Sequence, residues 1–132
     1  MSIKEMIREH PQVGNDYNEQ LAEAVKHAMY CAAICNSCAD ACSAEDMDMR
    51  ACIRLCSDCS DVCEATYRVA SRRTAGDVKV IEAMLQACIT ACERCASECD
   101  RHDTDHCRRC AKMCRECAED CRKALEGMKA HA

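Results

Sequence analysis

Four times in 132 residues the chain repeats one spacing of cysteines, CxxxCxxCxxxC. The copies are Cys31, Cys35, Cys38 and Cys42; Cys52, Cys56, Cys59 and Cys63; Cys88, Cys92, Cys95 and Cys99; and Cys110, Cys114, Cys117 and Cys121, with Cys107 one turn ahead of the last. At about 100° per residue, positions i, i+4, i+7 and i+11 fall in a stripe about 60° wide that runs about 16 Å along one helix face. The copies start 21 residues apart in the first pair (31 to 52) and 22 in the second (88 to 110), so the chain reads as a duplicated helical hairpin.

The turn signals agree. Pro11 and Gly14 separate a short helix over residues 3–10 from a long one, which Asp16 is placed to cap and which runs to residue 43. Glu45 to Asp48 make a polar connection, and a second helix follows to about residue 72. Thr74-Ala75-Gly76-Asp77 then breaks the pattern, with Asp77 set to cap a third helix ending near residue 100. Asp103 and Thr104 start a fourth, expected to fray at Gly127. With three Gly, one Pro and few β-branched residues, no strand is expected. The prediction is an all-α fold, an antiparallel up-down four-helix bundle preceded by a short N-terminal helix, with its Cys stripes facing inward. It reads as a single domain over 1–132: helix and turn in 1–14, one helical hairpin in 15–73, and a second in 77–128.

The core is then unusual. The hydrophobic share of 49% counts seventeen cysteines, and the chain has no Phe, no Trp and three Tyr. Aromatic rings normally supply the largest burials, so either the thiols are the core or something bound to them is. Polar residues between the cysteines, among them Asp40, Asp58, Glu93, Glu98, Arg115 and Glu119, are expected on the outer face. A net charge of −5 and a pI near 5.5 exclude nucleic acid as a natural partner. No stretch approaches transmembrane length, and no membrane role is expected.

A cysteine-dense short chain suggests a disulfide-stapled secreted domain. The first ten residues carry no apolar run of signal-peptide length, and seventeen is odd, so reduced thiols in the cytoplasm are the expectation. CxxC pairs such as Cys35/Cys38 and Cys92/Cys95 lack the βαβ surroundings of a thioredoxin-like site. Iron–sulfur ligands sit on Gly- and Pro-containing loops, and these cysteines sit on uninterrupted helices. Zinc needs four converging thiolates, which four layers of one Cys per helix could supply. Each such unit carries −2, however, and about four of them would bury about −8 in a tube with no cation on its inner stripe. Cu(I) brings +1 and displaces one thiol proton, so the tube stays neutral empty or full.

The four copies of the motif, the short N-terminal helix and the lack of an export signal resemble the bacterial copper storage proteins, in particular their cytosolic branch, over nearly the whole chain. The resemblance implies many Cu(I) ions held by all seventeen cysteines, largely in two-thiolate sites, and a homotetramer. The expected function is cytosolic Cu(I) storage or sequestration, without catalysis. A zinc or general thiolate buffer, or a dithiol redox protein, is the alternative. Partners would be copper ions and a copper chaperone or a chelating small thiol.

In an up-down bundle the loops 43–49 and 101–106 lie at one end. Continuing the stripes there reaches Met47 or Met49, His102, His106 and Cys107, read as a metal entrance, with solvated loop or cap histidines as the alternative. At the other end the stripes run into Leu21, Ala24, Tyr67, Ala70, Ile81, Leu85, Leu125 and Met128, an apolar plug. His27 is expected at the core boundary, His10 and His131 in solvent, and Met6, Met29, Met84 and Met113 in packing.

Overall fold

A computed structural model describes residues 2–130 and contains five helices: α1 (Ile3–Arg8), α2 (Glu19–Ser43), α3 (Arg50–Ala70), α4 (Val78–Cys99) and α5 (Asp105–Ala130). No strand occurs among the described residues. α2 packs on α3 and α5, and α4 packs on the same two, so the long helices form the four sides of an antiparallel bundle. α1 lies against α2.

Local chemistry sets the boundaries. Asp77 accepts from the backbone N–H groups of Lys79 and Val80, as its position predicts. The N-terminus of α2 differs from expectation: the cap is Asn18, not Asp16, and its side chain accepts from Leu21 N. The reason is tertiary. The Arg73 guanidinium donates to the carbonyls of Asp16 and Tyr17 at 3.0 and 3.1 Å, which holds that segment in a non-helical path with Tyr17 buried. α3 ends at Ala70, ahead of the expected residue 72. Thr104 Oγ1 accepts from Cys107 N at the start of α5. α5 does not fray at Gly127 but continues to Ala130. A Cβ on residue 127 would sit 2.5 Å from Gln20 Oε1, so this glycine makes room for a neighbouring helix and does not break its own.

The closed end is apolar as expected. Leu21, Ala24, Ala70, Ile81, Leu85 and Leu125 are buried, and Tyr67 and Met128 are half-buried. Ile7, Val13 and Tyr17 from the N-terminal segment join this core. Lys4 bonds to Glu19 and, at 2.6 Å, to Glu23, and Arg8 stacks 4.0 Å from the Tyr17 ring centre, fastening α1 to α2. Of the methionines expected in packing, Met113 is buried and Met84 half-buried. Met6 and Met29 are exposed, because α1 covers only part of the α2 surface and leaves them at its margin.

Candidate metal centre

All seventeen cysteines are free thiols, and every one is buried. Within a helix the i, i+4 geometry brings sulfurs to 3.7 Å (Cys31/Cys35), 3.9 Å (Cys52/Cys56) and 3.8 Å (Cys59/Cys63). Between helices the stripes interdigitate. Starting at the closed end, Cys117 meets Cys88 (3.8 Å), Cys88 meets Cys63 (3.7 Å), Cys63 meets Cys92 (3.7 Å) and Cys92 meets Cys31 (3.8 Å). From Cys35 the path runs to Cys110 (3.7 Å), Cys56 (4.0 Å), Cys99 (3.8 Å), Cys52 (3.8 Å), Cys42 (3.5 Å) and Cys107 (4.0 Å). Cys95 joins at Cys56 (3.6 Å) and Cys114 at Cys35 (3.6 Å). Cys121 adjoins Cys117 and Cys88 at the closed end and Cys38 lies among Cys56, Cys99 and Cys110, so the sulfurs form one unbroken column.

The column divides into overlapping tetrads whose sulfurs lie within 4.8 Å of one another: Cys31/Cys59/Cys63/Cys92, Cys31/Cys35/Cys59/Cys114, Cys35/Cys95/Cys110/Cys114 and Cys38/Cys56/Cys99/Cys110. The last takes one thiol from each long helix, the layer that the zinc alternative requires. The others take two from one helix and share members with their neighbours. A thiolate common to two tetrads must bridge two ions. That suits clustered, low-coordinate soft cations better than separate tetrahedral centres, each with four thiolates of its own.

Electrostatics vary along the column. Burial pushes the Cys107 thiol up to about 11 and raises Cys42 as well, with Cys52 adding to the second. For Cys38 the neighbouring Cys110 works upward, but the proximity of Cys56, Cys99 and His106 outweighs it and brings the thiol down to about 6. His106 is raised above its ordinary value, first by Cys38 and then by Glu45.

At the open end His106 places Nδ1 3.4 Å from Cys38 Sγ and 3.7 Å from Cys107 Sγ, and joins Cys38, Cys42 and Cys107 in a further tetrad. Met49 is buried at the start of α3, Met47 is half exposed on the loop before it, and His102 is half-buried. Both histidines have carboxylate partners that the sequence reading missed. His106 Nε2 lies 3.0 Å from Glu45 Oε1, and His102 Nε2 lies 2.7 Å from Glu98 Oε2. Glu98 is thus not on the outer face as expected but buried, 9% exposed, because it flanks Cys99 at the edge of the stripe and His102 covers it one turn on. A Glu four residues before a His was a readable signal; Glu45 and His106, 61 residues apart, gave none.

His27 and His10 take no part in this tetrad. His27 is half-buried at the α2/α5 boundary, its Nδ1 against the Asp120 carboxylate. His10, expected in solvent, is tied at both ring nitrogens: Nδ1 accepts from Gln12 N at 3.0 Å, and Nε2 lies 2.9 Å from Thr74 Oγ1. The cause is that the turn after α1 folds back onto the α3/α4 loop. His131 lies outside the described residues.

A four-helix bundle filled by a continuous column of buried thiols, with a histidine at its open end, defines a multinuclear thiolate metal-binding protein. Residues 17–126 match the copper storage protein family, and the chain belongs to that family. The copper storage protein Ccsp from Streptomyces lividans, in a structure loaded with 10 copper equivalents, is 42% identical with a TM-score of 0.90, over 96% of this chain and 99% of that one. A structure of a cytosolic copper storage protein from the same organism, described as loading with five coppers, is 44% identical with a TM-score of 0.82, over 86% and 98% of the two chains. No curated protein matches significantly. The family is defined by copper storage and not by a catalysed reaction.

Proposed function

We propose that this chain is a non-catalytic Cu(I) store in which all seventeen cysteines are ligands and the whole bundle acts as one domain. The observation that carries the reading is the overlap of the thiol tetrads into a single column, since shared sulfurs accommodate many bridged ions and leave few independent sites. Loading balances simply: each Cu(I) forms a bond to sulfur and the thiol proton leaves to solvent, so the buried charge does not grow. The copper-loaded Streptomyces relatives support the choice of cargo, and the description of one as cytosolic supports the same compartment here. Met47, Met49, His102 and His106 form the entrance, where thioether and imidazole ligands of intermediate strength pass an ion between a donor and the thiolates. The donor or acceptor is a copper chaperone or a chelating small thiol, and the family likeness supports a homotetramer, which sedimentation tests.

The deciding experiment is an anaerobic titration of the reduced protein with Cu(I) against a competing chelator. Uptake near or above one ion per cysteine, seventeen in all, is the expected result. Saturation near about four ions, with Zn(II) competing equally, would replace this reading with a layered zinc buffer.

A further inference from the structure

The geometry points to Glu45 as a positioning residue that decides which nitrogen of His106 meets the metal, an inference that rests on the Cu(I) reading for its cargo. A carboxylate in its ionised form accepts hydrogen bonds and donates none. With Glu45 Oε1 3.0 Å from His106 Nε2, the ring proton therefore sits on Nε2. A neutral imidazole has one N–H, so the Nδ1 lone pair is left free and faces Cys38 and Cys107 at 3.4 and 3.7 Å. In the other tautomer the lone pair would point at a carboxylate and away from the thiols. The bond is half shielded from water, with side-chain exposures of 27% for His106 and 30% for Glu45. It also joins the loop after α2, where Glu45 lies, to the first turn of α5, which holds His106. His102 and Glu98 repeat the same polarity through Nε2.

Two consequences follow for an arriving ion. Hydrogen bonding from the far nitrogen to a carboxylate raises the basicity of the ligating one and fixes the ring plane. A Cu(I) ion held on Nδ1 also adds +1 without displacing a thiol proton, and the Glu45 carboxylate on the opposite edge of the ring balances it. The mouth can hold an ion in transit without building up charge.

The test combines tautomer and loading. In metal-free protein labelled with ¹⁵N-histidine, at a pH above the ring's own midpoint, two-bond ¹H–¹⁵N couplings should report the Nε2–H tautomer for His106. Saturating with Cu(I) should shift Nδ1 and leave the Nε2 proton in place. Glu45→Ala should give mixed tautomers and slow the uptake of Cu(I) from a chelator by about ten-fold, with unchanged final capacity. Glu45→Gln, whose amide oxygen still accepts from Nε2–H, should keep the tautomer and most of the rate. An Nδ1–H tautomer in the metal-free wild type, a metal shift on Nε2, or wild-type loading by Glu45→Ala would each overturn the inference. The metal-free spectrum does not depend on copper, so a failure here is distinct from a failure of the storage reading, which shows as absent multi-equivalent uptake by the wild type.

Discussion

Leu85 separates the part of the bundle that holds the helices together from the part that carries cargo. Its side chain is 0% exposed in the apolar plug, one turn from Ile81 on the same face of α4 and just before Cys88, where that helix's thiols begin. Leu85→Ala removes three carbons, about 2.4 kcal/mol of transfer free energy at about 0.8 kcal/mol per group. The residual cavity brings the expected loss to about 3–4 kcal/mol, a large part of the roughly 5–15 kcal/mol that holds an ordinary domain. Leu85 offers no ligand atom and lies beyond the sulfur column, so copper capacity should not change. Urea unfolding of the reduced, metal-free protein followed by circular dichroism should show a lower midpoint at constant slope. The same variant should take up as many Cu(I) equivalents as the wild type. A loss below about 1 kcal/mol would refute the assignment of stability to the plug. A parallel loss of copper equivalents would refute the separation of the two ends.

Filling the reduced protein with Cu(I) should release about one proton per ion and leave the net charge unchanged, whereas tetrathiolate zinc would release about four per ion; an indicator dye in weak buffer counts them. Ala75 stands at φ +48° in the α3/α4 loop, where a Cβ is strained, and Ala75→Gly should raise stability by about 0.5–1 kcal/mol; a lower melting midpoint would contradict this. Glu23 is held below its ordinary carboxylate value by its bond to Lys4. Its contribution is therefore complete above the unfolded pKa of about 4.5 and is lost as the pH falls through the folded value. Lys4→Met should flatten the acid limb of stability in that window, by a small amount because the pair is partly solvated. An unchanged acid limb would show that the Lys4–Glu23 pair adds nothing to stability.

Much of this was legible because one spacing governs it. A stripe narrow enough to hide on one helix face, written four times, leaves a bundle as the only way to bury four such faces, and the plug residues continue the same stripes. What escaped the sequence lies where another segment intervenes. Asp16 has the chemistry of a cap, but Arg73, 57 residues away, takes the carbonyls of Asp16 and Tyr17 and moves the helix start to Asn18. Gly127 reads as a helix end, yet its missing side chain serves Gln20 on a neighbouring helix. Glu98 flanks the cysteine stripe, and only the ring of His102 above it makes that flank interior. The pairing of Glu45 with His106 exists only once the loop after α2 meets the start of α5, and no local pattern encodes it.

The closed end carries a consequence beyond stability. With leucine and isoleucine sealing one end of the thiol column, traffic has a single door, and sulfurs spaced at 3.5–4.0 Å offer a stepwise path to it. Such a column behaves as a stack: the ion beside Cys107 and Cys42 is the first that can leave, and the one beside Cys88, Cys117 and Cys121 the last. An isotope supplied early should therefore be withdrawn late, and the age of a copper ion in the bundle should be written in its depth.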